Sequence, residues 1–254
     1  MSGETRQWTA ALLVIGDEIL SGRTQDQNVG QVALWLNQQG IRLAEVRIVP
    51  DQTDRIAEAV NALRSGHDYL FTTGGIGPTH DDITVDAMAV AFGVPVVIHP
   101  AARKILEDYY RDRAGGLTEA RLRMARVPQG AELIPNPYSG APGVKIGNVF
   151  ILAGVPNIAG SMLEALTGKL EGGRPIVSVT VGARAAESEV ADLLRETEAA
   201  HPGVAIGSYP FFREGRHGAN FVVRSDDGEL ARRTGEELSR RLREAGYEPV
   251  AGGI

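Results

Sequence analysis

The sequence predicts an α/β protein: a three-layer α/β/α domain around a mainly parallel sheet, followed by a small α+β module. Three observations carry this. Short apolar runs alternate with segments whose apolar residues recur at helical spacing through the N-terminal two-thirds. A glycine-rich turn, Thr73-Gly74-Gly75-Ile76-Gly77-Pro78, joins a strand-like run to a helix-like one. A break at Glu171-Gly172-Gly173-Arg174 separates this pattern from a second, differently ordered one, so we expect domains over residues 1–171 and 172–254.

Taking the elements in order, Ala11 to Ile15 is a continuous apolar run, as in a strand covered on both faces. Val29, Val32, Ala33 and Leu36 follow at helical spacing, with Asn28 as cap and Gly40 as stop. Ile41 to Val49 reads as a strand, and Asp54 to Arg64 as a helix with Ile56, Val60 and Leu63 on one face. Asp68 to Thr72, Asp82 to Phe92 and Val94 to Ile98 continue as strand, helix and strand. Pro100 to Arg126 reads as helix broken at Gly115-Gly116, and Val144 to Leu152 as a hairpin around Gly147-Asn148. A helix from Pro156 to about Leu166 closes the domain. Beyond the boundary come a strand (Pro175 to Val181), a helix (Ser188 to Ala200), a strand pair (Val204 to Tyr209, Ala219 to Arg224) and a charged helix (Leu230 to Ala245), in βαββα order.

Composition narrows the function classes. The 254 residues are 43% hydrophobic, enough for a sizeable core, and include no cysteine, which excludes disulfides, thiolate metal sites and a cysteine nucleophile. A formal charge of −6 gives no broad attraction for a polyanion, so nucleic acid is not an expected partner. Met1 to Thr9 is polar, and no apolar run approaches the roughly 18 residues of a membrane helix. We expect a cytoplasmic protein without membrane insertion.

The turn from Thr73 to Thr84 is the strongest chemical signal. Three glycines in four positions let main-chain N–H groups approach an anion, and the following helix adds its positive end. Gly74, Gly75, Gly77, Pro78 and Thr79, with Asn28, are the candidate phosphate contacts. No Lys-Ser/Thr pair follows, so this is not a P-loop, and His80 stands where a dinucleotide fingerprint needs glycine. The same pattern also fits a plain tight turn capped by Asp81 or Asp82.

Acidic residues cluster after two strands. Gly16-Asp17-Glu18-Ile19-Leu20-Ser21-Gly22 with Asp26-Gln27-Asn28 follows the first, and Asp81-Asp82 a later one. Carboxylates beside a phosphate site predict a divalent ion, Mg²⁺ or Co²⁺, with Asp17, Asp26 and Asp82 as ligands and Glu18 and Asp82 as catalytic groups. Capping is the alternative for Asp26. Arg121, Arg123, Arg126 and Lys145 could reach a ligand or form a solvated face, and His80 could act as acid, base or phosphate contact. No zinc or serine hydrolase arrangement stands out.

These motifs resemble a known family. Gly16-Asp17-Glu18-Ile19-Leu20-x-Gly22, Asp26-x-Asn28 and Thr73-Gly74-Gly75-Ile76-Gly77-Pro78-Thr79-x-Asp81-Asp82-x-Thr84 resemble the molybdopterin-binding (MoaB/Mog-like) domain as it occurs at the N-terminus of CinA and, closer still, before eukaryotic FAD synthase. Pro135-Asn136-Pro137, Gly140-Ala141-Pro142-Gly143 and Val204 to Pro210 extend the likeness over nearly the whole chain. The resemblance implies a three-layer domain, self-association into a homo-oligomer, and a phosphorylated pterin or nucleotide as ligand. It implies two functions: metal-dependent cleavage of a pyrophosphate such as ADP-ribose or FAD, or molybdopterin binding in molybdenum cofactor synthesis. Neither deamidase nor FAD-forming activity is expected. The chain reads Gly154-Val155-Pro156-Asn157-Ile158 where CinA relatives read Gly-Pro-Pro-x-Glu, and so lacks that glutamate.

Overall fold

The computed structural model describes residues 6–213 and 215–254, so the first five residues of the polar N-terminal stretch lie outside the described ones. The chain divides into two compact units, Met1–Gly173 and Arg174–Ile254. In the first, Trp8–Ile15 forms β1, Asp17–Leu20 the single turn α1, Asn28–Gln38 α2, Ile41–Val49 β2, Thr53–Gly66 α3, Tyr69–Thr73 β3 and Thr84–Phe92 α4. Then come Val96–Ile98 (β4), Pro100–Tyr110 (α5), Glu119–Leu122 (α6), Arg126–Pro128 (β5), Glu132–Ile134 (β6), Gly143–Ile146 (β7), Val149–Leu152 (β8) and Pro156–Leu166 (α7).

The main sheet runs β2-β1-β3-β8-β7-β6. The first four strands are parallel, and the last two complete an antiparallel edge. Strand periodicity sorts the core into two halves. Ala11, Leu13, Ile15, Leu70, Val149 and Ile151 face α3 and α4, where Ile56, Val60, Leu63, Ala87 and Met88 meet them. Ala10, Leu12, Val14, Phe71, Phe150 and Leu152 face α2 and α7, against Val32, Leu36, Met162 and Leu163. Leu12, Leu13, Leu70 and Phe71 are fully buried, each stabilising the fold by about 1.5–3 kcal/mol relative to exposure. The result is the expected three-layer α/β/α arrangement.

Its consequence for function is directional. The parallel strands all end at one edge, and the segments leaving β1 and β3 depart to opposite faces, since α2 packs on one half of the core and α4 on the other. A crevice at the carboxyl ends of β1 and β3 follows from that divergence.

Two elements differ from expectation. Val94 to Ile98 does not add a strand to the main sheet: Val96–Ile98 pairs antiparallel with Arg126–Pro128 in a separate ribbon. Pro95 has no N–H to give a ladder, and Val97 and Ile98 are exposed rather than covered on two faces. The fourth parallel strand is instead β8, the second arm of the expected hairpin. The helical reading of Pro100 to Arg126 resolves into α5, a loop at the left-handed Gly115 and Gly116, the turn α6 and a 3₁₀ turn at Arg123–Ala125, which leaves Arg126 in β5.

The second unit comprises Val177–Ala183 (β9), Glu187–Ala200 (α8), Ala205–Arg213 (β10), Arg216–Ser225 (β11), Gly228–Glu244 (α9) and Val250–Ala251 (β12). Its antiparallel sheet runs β10-β11-β9-β12, with Val181, Phe221, Val223 and Leu238 in its core. The short β12 turns the expected βαββα order into βαββαβ, a split βαβ arrangement. Among the described residues no helix is long and apolar enough to cross a membrane.

Candidate functional site

The loop after β3 begins over the end of β1. A Cβ on Gly74 would lie 2.1 Å from the main-chain oxygen of Ile15, and its φ of 106° is one that L side chains rarely adopt. Only glycine fits this close crossing. Gly75 is also left-handed, at φ 65°, and a Cβ there would meet the Thr84 hydroxyl at 2.3 Å. That hydroxyl donates to the Gly74 carbonyl at 2.9 Å, and the Thr84 N–H donates to the Gly75 carbonyl at 3.0 Å. The carbonyls of the turn are thus tied inward to the start of α4. Ile76 drops its side chain against both halves of the core.

The amides of the same turn are left over. Among the described residues, the N–H groups of Gly75, Ile76 and Gly77 meet no acceptor, and all three residues are only half-buried. Consecutive main-chain amides without partners, next to a helix start, are what an oxyanion site consists of. Gly74 corrects the expected set, because its amide donates to Leu152 O at 3.3 Å; its part is the turn. Pro78 has no N–H to offer. Thr79 is a second correction: its N–H and hydroxyl both donate to Asp82 Oδ2, at 2.7 and 2.6 Å. Asp82 therefore clamps the loop from beneath Gly77, where a Cβ would come within 2.7 Å of its carboxylate. That backward clamp is also why α4 starts at Thr84 and not at Asp82, and why neither Asp81 nor Asp82 caps it. His80 is exposed in the loop.

On the β1 side, Asp17 and Glu18 form the exposed first turn of α1. Asp26 accepts the Val29 N–H at 2.8 Å, so one of its oxygens serves the start of α2. Asn28 is not the cap of that helix. It is 5% exposed, its Nδ2 donates to Gly154 O at 2.8 Å, and its Oδ1 is buried without a partner. Thr73 Oγ1 is likewise buried and unpartnered. Both residues line a pocket of about 150 Å³ together with Glu18, Asp26 and Gly154. Buried polar atoms are normally satisfied, so these two mark a place where water or a ligand belongs.

Sequence reasoning missed one group at this edge, Asp51. It follows β2, whose last residue Val49 lies beside Ile15 in the parallel ladder. Its Oδ2 accepts the Asp17 N–H at 2.9 Å. Burial pushes its carboxyl above the usual carboxylate range; the Asp17 N–H opposes the shift, and the charges of Asp17, Glu18 and Asp81 reinforce it. Four carboxylates from three loops therefore feel one another here. Among the described residues, however, no three acids or histidines converge closely enough to form a metal-ligand group. A hard cation at this edge would take one or two protein carboxylates and complete its shell with ligand and water oxygens, which is the ordinary habit of Mg²⁺.

A cleft of only about 10 Å³, room for a single water, is lined by Gly75, Ile76, Gly77 and Asp82 from the loop together with Arg123, Met124 and Arg126. Arg126 pairs with Asp86 of α4.

With this geometry in place, residues 11–171 match the model of the probable molybdopterin binding domain. The chain belongs to that family. Residues 175–250 match the middle domain of FAD synthase. A protein of Aeropyrum pernix is 35% identical over 219 residues, covering 83% of this chain and 81% of the relative. A CinA-like protein of Citrifermentans bemidjiense is 39% identical over 193 residues, covering 72% of this chain but 46% of the relative, so the chain spans about half of that protein's length. Among solved structures, the protein CinA of Thermoplasma acidophilum, whose function is described as unknown, superposes with a TM-score of 0.60 at 32% identity, over 64% of this chain and 98% of that one.

Proposed function

We propose that the chain binds the phosphate-bearing part of a small molecule, a pterin phosphate or a nucleotide, on the amides of Gly75, Ile76 and Gly77. The observation that carries this reading is that these amides have no acceptor among the described residues while the Gly74 and Gly75 carbonyls are both bonded to Thr84 at the start of α4. The family match favours a pterin as one ligand class.

The acids beside the cradle support a hydrolytic reading, cleavage of a pyrophosphate such as ADP-ribose or FAD. One or two of the carboxylates of Asp17, Glu18 and Asp51 would suit a Mg²⁺ or Co²⁺ ion, which when bound would offset phosphate charge. The roles of the chain's own residues follow from their contacts. The loop amides hold a phosphoryl oxygen and stabilise charge that grows on it in the transition state. Asp82 keeps the loop in shape through Thr79. Asp51 holds the start of α1 in place by accepting the Asp17 N–H.

The test is to incubate the protein with ADP-ribose or FAD and Mg²⁺ or Co²⁺. Release of AMP that is lost in Asp51→Asn and Asp82→Ala supports hydrolysis. Saturable binding of a pterin phosphate with no AMP release assigns the non-catalytic, molybdopterin-binding reading instead.

A further inference from the structure

The whole-chain charge of −6 argues against a polyanion partner, but in the second unit the charges are segregated. Helices α8 and α9 pack on one face of the antiparallel sheet, where Val181, Phe221, Val223 and Ile206 meet Val190, Leu194, Leu238 and Leu242. Strand residues of the opposite parity form a second face that neither helix covers. The ladder puts Arg224 beside Ala205, Tyr209 beside Asn220, Phe211 beside Gly218 and Arg213 beside Arg216, all on this side. Among the described residues, none of the four strands contains an aspartate or glutamate, so the charged strand residues of this face are arginines.

Two rings lie low on this face because glycines make room for them. A Cβ on Gly218 would come within 2.6 Å of the Phe211 ring, and one on Gly207 within 3.2 Å of the Tyr209 ring. Tyr209 nevertheless stays 46% exposed. Arg224 lies 5.5 Å from the Tyr209 ring centre and donates to its hydroxyl, Arg213 lies 5.2 Å from the ring centre of Phe211, and Arg216 is exposed at the start of β11. Gly253 and Ile254 lie on the β9 side of the face, against Gly182 and Asn220, which leaves the β10–β11 ribbon open. The edge of that ribbon does not invite another strand: Pro210 has no N–H, and the Ile206 N–H is taken by Glu198 at 2.7 Å.

We propose that the open face of the β10–β11 ribbon binds single-stranded nucleic acid. Residues two apart on a strand stand about 7 Å from each other, roughly twice the 3.4 Å spacing of stacked bases, so Tyr209 and Phe211 can each take one base of a strand drawn open. The arginines beside the rings suit the phosphates of such a strand, and no strand carboxylate opposes them. An open four-stranded sheet that offers aromatic rings is a known platform for this chemistry. Charge complementarity calls for a polyanion, and the paired rings call for unpaired bases, which a duplex does not present. The inference stands apart from the anion cradle of the first unit.

Fluorescence anisotropy over a salt series tests it on the full chain, with labelled oligothymidylate and oligouridylate of about 20 nucleotides and a duplex of the same length. Saturable binding of either single strand, tighter than that of the duplex, is the expected result. Tyr209→Ala and Phe211→Ala should each weaken it about 5- to 100-fold. Arg216→Gln, at an exposed position that folding tolerates, should lower the slope of log affinity against log salt by about 0.7. Phe212→Ala, an exposed ring on the other side of β10, and Arg195→Gln on α8 should match wild type, with thermal melting confirming that each variant folds. No saturable binding, equal binding of the duplex, or losses from Phe212→Ala and Arg195→Gln equal to those on the open face overturns the assignment.

Discussion

At the amino end of the main sheet, Asp68 accepts the N–H and hydroxyl of Thr9, at 2.8 and 3.1 Å, and pairs with Arg6. Asn148 shares its amide between the carbonyls of Arg64, His67 and Asp68, within 2.9–3.3 Å. At the carboxyl end of the same strands, Asn28 Oδ1, Thr73 Oγ1 and the amides of Gly75 to Gly77 have no partner among the described residues. Two aspartates express the contrast. Burial raises Asp68 too, but the Thr9 and Arg6 hydrogen bonds outweigh it and hold its carboxyl below the usual range. Asp51, with one N–H against burial and three neighbouring carboxylates, sits above it. One end of the sheet is saturated and stabilises the fold; the other keeps strain and open valences that a ligand can satisfy.

The largest expected effect probes the strained end. Gly74→Ala forces a Cβ against the Ile15 main-chain oxygen, which cannot swing aside, and should destabilise the protein by about 3 kcal/mol or more in urea denaturation while abolishing anion binding. Gly22→Ala, also left-handed but with open space around it, should cost about 1 kcal/mol. Equal losses at the two positions would mean that the crossing over β1 is not the source of the strain.

Next is the saturated end. Asp68→Ala should destabilise by about 1–3 kcal/mol at pH 7, because it strands the Thr9 N–H and hydroxyl. The folded state holds Asp68 below its ordinary value of 3.8, so its contribution is present above that pH and fades as pH falls through the lower folded value. The gap between wild type and variant should narrow in acid.

The smallest effect has the opposite sign. Asp51→Asn can still accept the Asp17 N–H but removes a charge from a crowded edge. A raised folded pKa means that ionising Asp51 costs stability as pH rises above 3.8. The variant should therefore be more stable at pH 7, by on the order of 0.5 kcal/mol after solvent screening, and equal to wild type below pH 3.8. Destabilisation at pH 7 would show that the carboxylate is structural.

Much of this was legible in the residues. The short apolar runs of β1 and β3 and the helical spacing of α2 and α3 announced the layers, and three glycines between a strand and a helix announced the tight turn. Asp51 was hidden because Pro50-Asp51-Gln52-Thr53 reads locally as a helix start. Only the parallel pairing that sets Val49 beside Ile15 makes it a neighbour of Asp17. Thr79 was misread for the converse reason: a local bond to Asp82, three residues on, takes both of its donors. Proximity across the sheet is tertiary information, whereas the Thr79 turn could have been read from spacing alone.

The most direct test follows the main-chain amide resonances while the protein is titrated with inorganic pyrophosphate and Mg²⁺. Saturable shifts are expected at Gly75, Ile76 and Gly77, with Gly74 and the amino-end amides of Thr9 and Leu70 nearly still, since these donate within the protein. Shifts absent from those three, or spread evenly over both ends of the sheet, would contradict it.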